Sequence, residues 1–120
     1  AAVRAKLATN LVLGLNRAAL AEGMAFAESL GISRALFLDL VRGSPAASPV
    51  ALAKGEKMVS GNFTPDSRIR QHLKDVRRMR EYAQFDLPLS EAHEKLLAAA
   101  VAAGEGELDN AAIIRRWRTS

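Results

Sequence analysis

The apolar residues of this chain recur with the spacing of α-helices. Between residues 69 and 83 they fall at i, i+4, i+7, i+10 and i+14, which is one face of a helix. No run of alternating β-branched residues, the pattern typical of strands, interrupts this spacing. The pattern predicts an all-α, multi-helix domain built around one long apolar N-terminal helix.

Glycine, proline and capping residues set the predicted helix limits. The helices cover about residues 2–30, 34–41, 49–59, 67–84 and 90–103. Gly31 suits the C′ position of the first helix, and Ser33 and Ser90 suit the N-caps of the second and fifth. Asp109 is predicted to cap a short last helix that Trp117 anchors by packing.

The first predicted helix is apolar almost all the way round, which is unusual for a domain of 120 residues. A helix of this kind is normally buried on most of its sides. We therefore expect surfaces outside the domain to cover part of it.

Composition sets broad limits on class. The chain is 49% hydrophobic and forms a single predicted domain, residues 1–120. It has no cysteine, which excludes disulfides and thiol chemistry and agrees with a cytoplasmic location. Polar residues interrupt the most apolar stretch, residues 7–27, so no membrane contact is predicted. Because the sequence starts at Ala1 without a Met, we expect that it was cut from a longer chain.

The fourth predicted helix carries a run of basic residues, and the net charge of +4 permits phosphate or nucleic-acid binding without requiring it. The run contains Arg68, Arg70, Lys74, Arg77, Arg78 and Arg80. It lacks interleaved aromatic residues and its charges surround the helix, so we interpret it as a solvated surface with no nucleic-acid partner. His72 and His93 are far apart in sequence and lack metal-ligand spacing, which predicts no metal site and an incidental role for both.

Lys6 and Asn10 are four residues apart and share one face at the start of the long helix. An amine and a carboxamide one turn apart can belong to one polar site. The alternative is a surface lysine beside an unrelated asparagine, and spacing alone leaves both interpretations open.

Four blocks, taken in order, resemble one enzyme family. Lys6-x-x-x-Asn10 precedes an alanine-rich helix, followed by Asn62-Phe63-Thr64-Pro65 with the His72–Arg77 stretch, then Asp86–Leu89 and Glu107–Ile114. Together they are similar to the C-terminal helical domain of the β-hydroxyacid dehydrogenases, which include 3-hydroxyisobutyrate dehydrogenase and tartronate semialdehyde reductase and, more distantly, 6-phosphogluconate dehydrogenase. Thr9 departs from the asparagine that is common there, and the substrate remains unassigned.

The resemblance implies a role for each matching residue. Lys6 is the expected catalytic acid/base and Asn10 the expected substrate-binding residue. Lys74 is expected near the cofactor, with Asp75 in support through an ion pair with Arg78. It further implies a small hydroxy-acid substrate, a homodimer, and NAD or NADP bound mainly by an N-terminal Rossmann domain that this chain lacks. We therefore expect no turnover by the chain alone.

Two other functions remain open at this stage. One is a non-catalytic helical interaction module that binds a protein partner or nucleic acid through its basic helix. The other is a family member that has kept the fold and lost the chemistry, against which the presence of both Lys6 and Asn10 argues.

Overall fold

The computed structural model describes residues 2–117. They form an all-α domain in the order α1 (Ala2–Ser29), α2 (Arg34–Arg42), α3 (Pro49–Ser60), α4 (Ile69–Tyr82), α5 (Pro88–Ala102) and a C-terminal 3-10 helix (Asn110–Trp117). The described residues contain no strand beyond an isolated bridge between Arg68 and Asp109. The predicted fold class, with one long N-terminal helix at its centre, is confirmed.

Helix α1 touches every other helix, and its inner face supplies much of the core. Leu20, Ala21, Met24 and Ala27 are buried there at i, i+1, i+4 and i+7. The other buried apolar residues come mainly from α4, α5 and the 3-10 helix, for example Ile69, Val76, Leu97 and Ile113. The same helix leaves large apolar side chains exposed on its other faces, so the expectation of an outside partner for α1 stays a prediction.

The helix ends follow the capping rules in most places. Gly31 has φ +86° and its N–H donates to Glu28 O, while Ile32 N–H donates to Ala27 O, which together form a Schellman ending for α1. The hydroxyl oxygen of Ser33 accepts from Leu36 N–H at the start of α2. Both predicted roles are confirmed.

Three predicted limits are wrong. Helix α5 begins at Pro88, whose ring sets φ and needs no hydrogen-bond acceptor, so Ser90 lies inside the helix, buried, and does not cap it. Helix α4 covers Ile69–Tyr82 rather than residues 67–84. Ser67 is held outside it because its N–H donates to Asp109 Oδ1 and its carbonyl accepts from Asn110 N–H.

The last segment is a 3-10 helix, with Ala112 N–H donating to Asp109 O. Asp109 caps it as predicted, since Oδ2 accepts from Ala111 N–H at 2.9 Å. Trp117 packs against the core and donates from Nε1 to Glu22 Oε1 at 3.2 Å, which ties this segment to α1 and confirms the anchoring role.

Candidate functional site

The first turns of α1 project Lys6 and Asn10 from the same side of the helix. Lys6 is exposed and forms no ion pair within residues 2–117, whereas Asn10 is half-buried. Thr9 turns its hydroxyl back to donate to Lys6 O at 3.0 Å, so it does not extend the polar surface. The result is one lysine side chain without an ion pair and one carboxamide, both at the end of α1 that carries the positive pole of the helix dipole.

Helices α1 and α4 are antiparallel where they meet. Gly14 of α1 lies against His72 of α4, while Leu11 and Met79 line the same cleft. Asn10 is about 6 Å along α1 from Gly14, and Asp75 is about 4.5 Å along α4 from His72, both toward the same end of the pair. Asn10 and Asp75 therefore both lie toward the end of the pair at which α1 begins.

Lys74 does not face α1. It follows His72 by two residues, a rotation of about 200° around the helix, and its side chain is exposed. Within this domain the structure brings Lys6, Asn10 and Asp75 to the same end of the α1–α4 pair and leaves Lys74 on the outer side of α4.

The predicted ion pair between Asp75 and Arg78 is wrong. Asp75 Oδ1 accepts from Gln71 Nε2 at 3.3 Å, and no salt bridge joins Asp75 to Arg78 in the described part of the chain. Gln71, four residues earlier on the same helix face, is therefore the partner of Asp75 in place of Arg78.

The basic residues of α4 are mostly paired. Arg68, at the N-cap of α4, and Arg70 form salt bridges with Glu107. Arg77 and Arg80 form salt bridges with Glu94, and the N···O distances of all four lie between 2.6 and 3.3 Å. The hydrogen bond from Arg80 lowers the pKa of Glu94, burial acts in the opposite direction, and the bond from Arg77 adds to the lowering. Lys74 and Arg78 are left as the α4 cations without a salt bridge in residues 2–117, so the charge available to a polyanion is small.

Two histidines that the sequence analysis regarded as incidental meet in the core. The ring centroids of His72 and His93 are 5.1 Å apart, and Arg17 of α1 lies buried near both. Arg17 Nε and Nη1 and His72 Nε2 have no hydrogen-bond partner within the described residues. The spacing in sequence gave no sign of this contact, because it arises from α4 and α5 packing side by side with these positions turned inward.

Burial dominates the ionisation of this cluster. It lowers the pKa of His72 to about 3, with Arg17 and then His93 adding to the shift, and it lowers the pKa of His93 to about 4, again with help from Arg17. Burial also lowers the pKa of Arg17 to about 10, against an attraction from Asp109. Near neutral pH the cluster therefore holds one guanidinium and two neutral imidazoles.

Asp109 is the centre of a second polar cluster, in which every oxygen has partners. Lys54 Nζ donates to Oδ1 and Oδ2 at 2.9 and 3.0 Å. The N–H groups of Asp66 and Ser67 donate to Oδ1, and that of Ala111 donates to Oδ2. Burial raises the pKa of Asp109, but the hydrogen bonds from Ala111, Lys54, Asp66 and Ser67 outweigh it and leave the pKa below its usual value.

An apolar cleft of about 480 Å³ separates the start of α1 from the turn between α4 and α5. Leu7 and Leu11 line one side, Tyr82 and Phe85 the other, and Arg4 lies at the rim. By helical rotation the cleft is on the side of α1 away from Lys6. Residues 2–117 contain no group of three or more histidine or acidic side chains that could hold a metal ion.

Signals for the histidine cluster, but not for the Asp109 cluster, were present in the sequence. His72 and His93 occupy core positions of their helices, three residues after Ile69 and four before Leu97. Gly14 interrupts a helix, and such a glycine often marks a close approach by another group. The pairing of Lys54 with Asp109 spans 55 residues of sequence, and no local pattern indicates it.

The family can now be assigned. A family model described as "NAD-binding of NADP-dependent 3-hydroxyisobutyrate dehydrogenase" matches residues 1–117. The chain belongs to this family. The expected resemblance to hydroxyacid dehydrogenases is thereby confirmed, and so is the family's use of NAD(P).

Relatives of the chain include enzymes and a nuclear factor. The 2-hydroxy-3-oxopropionate reductase of Escherichia coli (strain K12) is 26% identical over 113 residues, which are 92% of this chain and 39% of the enzyme. The cytokine-like nuclear factor N-PAC of Aedes aegypti is 26% identical over 120 residues, 98% of this chain and 22% of that protein.

Among solved structures, 3-hydroxyisobutyrate dehydrogenase from Salmonella typhimurium matches with a TM-score of 0.87 and 29% identity, over 93% of this chain and 40% of that one. The chain therefore spans well under half the length of each of these three proteins. In the described residues, no helix combines the length and the apolar character needed to cross a membrane.

Proposed function

We propose that this 3-hydroxyisobutyrate dehydrogenase family chain is the substrate-binding and dimerisation domain of an NAD(P)-dependent oxidoreductase that acts on a 3-hydroxy acid or the corresponding semialdehyde. The observation that carries the proposal is the placement of Lys6 and half-buried Asn10 one turn apart at the start of α1. The proposal assigns dinucleotide binding to a Rossmann domain outside this chain, since residues 2–117 contain no βαβ unit.

Lys6 is assigned the proton transfer. As a free amine it accepts the proton of the substrate hydroxyl during oxidation, and as an ammonium it returns that proton to the carbonyl oxygen during reduction. The first turns of α1 contain no acidic residue, and the helix dipole there favours a substrate carboxylate.

Asn10 is assigned the orientation of the substrate. Its carboxamide offers both a donor and an acceptor to the hydroxyl and carboxylate oxygens, and its charge does not change during the reaction. Asp75, which lies toward the same end of the helix pair as Asn10, is assigned a supporting role on the α4 side.

The residues of this chain can contact part of a nicotinamide cofactor, such as a phosphate or ribose oxygen, but cannot enclose the whole molecule. Lys74 is an exposed cation without an ion pair in residues 2–117, and such a group suits a phosphate or ribose oxygen. When bound, the cofactor supplies the acceptor for the hydride that leaves the substrate carbon. Lys74 would hold it from the outer side of α4, away from the face that packs on α1.

The exposed apolar surface of α1 and α2 is assigned to subunit contact. Val12 and Phe26 of α1, Leu30 just after it, and Leu36 and Leu40 of α2 are each at least half exposed. Side chains of this size and number are uncommon on the surface of a monomer and support burial against a second subunit.

A non-catalytic interaction module is the second candidate, and the name of the nuclear-factor relative favours keeping it. Glu107 and Glu94 neutralise most of the basic surface of α4, which argues against nucleic acid as its partner. Steeply salt-dependent binding to duplex DNA would favour this candidate over the enzyme.

The test places this domain behind a dinucleotide-binding domain and compares Lys6→Ala with a matched control, Lys95→Ala, which removes an exposed lysine of α5. We expect Lys6→Ala to lower kcat by roughly 10²- to 10⁴-fold, the usual contribution of a positioned acid/base. Unfolding free energies of both variants should stay within about 0.5 kcal/mol of the parent. Activity of Lys6→Ala equal to that of Lys95→Ala would remove Lys6 from the mechanism.

A further inference from the structure

Arg17, His72 and His93 bring three helices together at one buried point. They belong to α1, α4 and α5, and each is less than a tenth exposed. We propose that these three side chains form an acid-sensitive contact, which holds α1 against α4 and α5 while both imidazoles are neutral and opens when either takes up a proton.

Helices α1 and α4 approach each other closely at this cluster. A methyl group at residue 14 would lie 2.5 Å from His72 Nε2 and 3.1 Å from His93 Cε1. The backbone of α1 at Gly14 therefore lies directly on the two imidazole rings. A proton added to Nε2 would point at this backbone, where Nε2 has no acceptor within the described residues.

The groups that face the cluster from α1 and α5 offer no negative charge to balance such a proton. Arg17 is itself a cation, and its Nε and Nη1 lack partners in residues 2–117. Glu94 follows His93 directly, but its carboxylate is turned to Arg77 and Arg80.

The residue that caps the 3-10 helix contributes one carboxylate, whose oxygens are already hydrogen-bonded to other groups. Asp109 attracts Arg17, but Lys54 and three backbone N–H groups occupy both of its oxygens. Asn110, which follows it, is neutral and has a buried Oδ1 without a partner in the described chain. A second cation in this space would thus be added without a counter-ion, which is among the costlier events in a protein interior.

The expected pH range follows from the direction of the shifts. In the unfolded chain a histidine takes up its proton near pH 6.5, whereas in the fold the pKa of His93 is about 4 and that of His72 about 3. Between pH 6.5 and about 4 the unfolded chain binds more protons than the folded one, so stability falls as the pH falls. The pKa of Asp109 is lowered from 3.8, so the stability that its ionised form contributes is lost mainly below this range.

One consequence concerns the site, and it rests on the proposed function. Helix α1 carries Lys6 and Asn10, and α4 carries Asp75, one turn beyond His72. Opening of the contact would separate these groups and end the joint binding of substrate.

The experiment measures the two imidazoles in the chain by NMR, following the Cε1–Hε1 signals from pH 8 to 4. We expect neither signal to titrate near pH 6.5, and both to remain those of neutral imidazole until helical structure is lost. A reversible titration of either ring near pH 6.5 in the folded chain would overturn the proposal. This readout does not depend on activity, and the kinetic test of Lys6 does not depend on it.

A variant series gives the second arm. His72→Gln with His93→Gln cannot take up protons at these positions, so its thermal midpoint should change less between pH 7 and 4.5 than that of the parent. Parallel curves for the two would contradict the proposal. Should the double variant fail to fold, Arg17→Met keeps both rings and removes the neighbouring cation. Its imidazole midpoints should move upward toward 6.5, and unchanged midpoints would refute the contact.

Discussion

The interior of this domain contains two polar clusters that satisfy their charges in opposite ways. Around Asp109, the carboxylate has an ion pair with Lys54 and three backbone donors. Around Arg17, the guanidinium and His72 Nε2 have no partner in residues 2–117. The first cluster joins α3 to the loop before α4 and the 3-10 helix, the second joins α1 to α4 and α5, and only the first is complete.

The difference separates two uses of a buried charge. A fully bonded carboxylate fixes the loop before α4 and the start of the 3-10 helix in one arrangement, because every alternative leaves it unpaired. An unpartnered guanidinium beside two neutral imidazoles lowers stability at neutral pH and makes it sensitive to acid. The first cluster should resist perturbation, and the second should respond to it.

The largest effect is expected at Asp109. Asp109→Ala removes the acceptor for Lys54 and three N–H groups, so the free energy of unfolding should fall by about 3–5 kcal/mol. Asp86→Ala, which removes an exposed carboxylate, is the matched control and should change it by less than about 0.5 kcal/mol. Chemical denaturation of both variants makes the comparison. Equal stability of the two would mean that the Asp109 cluster contributes nothing.

A smaller loss is expected at the contact of the second cluster. In Gly14→Ala the added methyl group meets His72 and His93 at less than van der Waals distance, so stability should fall by about 1–3 kcal/mol. Gly43→Ala is the control, because a Cβ there has only Asp39 O at 3.9 Å nearby and φ is −92°. If both glycines accept alanine equally well in denaturation experiments, α1 and α4 are not in close contact at Gly14.

The smallest effect has the opposite sign. Arg17→Met replaces a buried, unpartnered guanidinium with an apolar chain of similar length, and should raise the free energy of unfolding by about 1–2 kcal/mol at pH 7. The parallel change Lys54→Met should lower it, because Asp109 would remain buried without its cation. Two changes of the same sign would show that the clusters do not differ as described.

The fold was predictable to the extent that it depends on local pattern. Gly31 and Ser33 end and begin helices through contacts within six residues, and both roles follow from the residue type. Ser67 misled the prediction because a distant residue sets its surroundings, and Ser90 because the nearby proline takes the first position of the helix. Ser67 bonds to Asp109, 42 residues away, and a proline two residues earlier starts the helix that contains Ser90.

The candidate site was predictable only through resemblance, and the buried clusters were not predicted. Lys6 and Asn10 share a helix face by spacing alone, but a role for them required the wider family pattern. His72 and His93 are 21 residues apart, and their contact depends on how α4 and α5 pack. The sequence alone does not indicate whether a charged residue inside an apolar helix, such as Arg17, lies on the surface or in the core, because that depends on how the partner helices pack.

The central claim concerns the exposed start of α1, and a crystal structure of the domain with its dinucleotide-binding partner and 3-hydroxyisobutyrate tests it most directly. The account predicts Lys6 Nζ within about 2.7–3.2 Å of the substrate hydroxyl, with the carboxamide of Asn10 bonded to the same molecule. Acid bound elsewhere, with both side chains left in solvent, would contradict it.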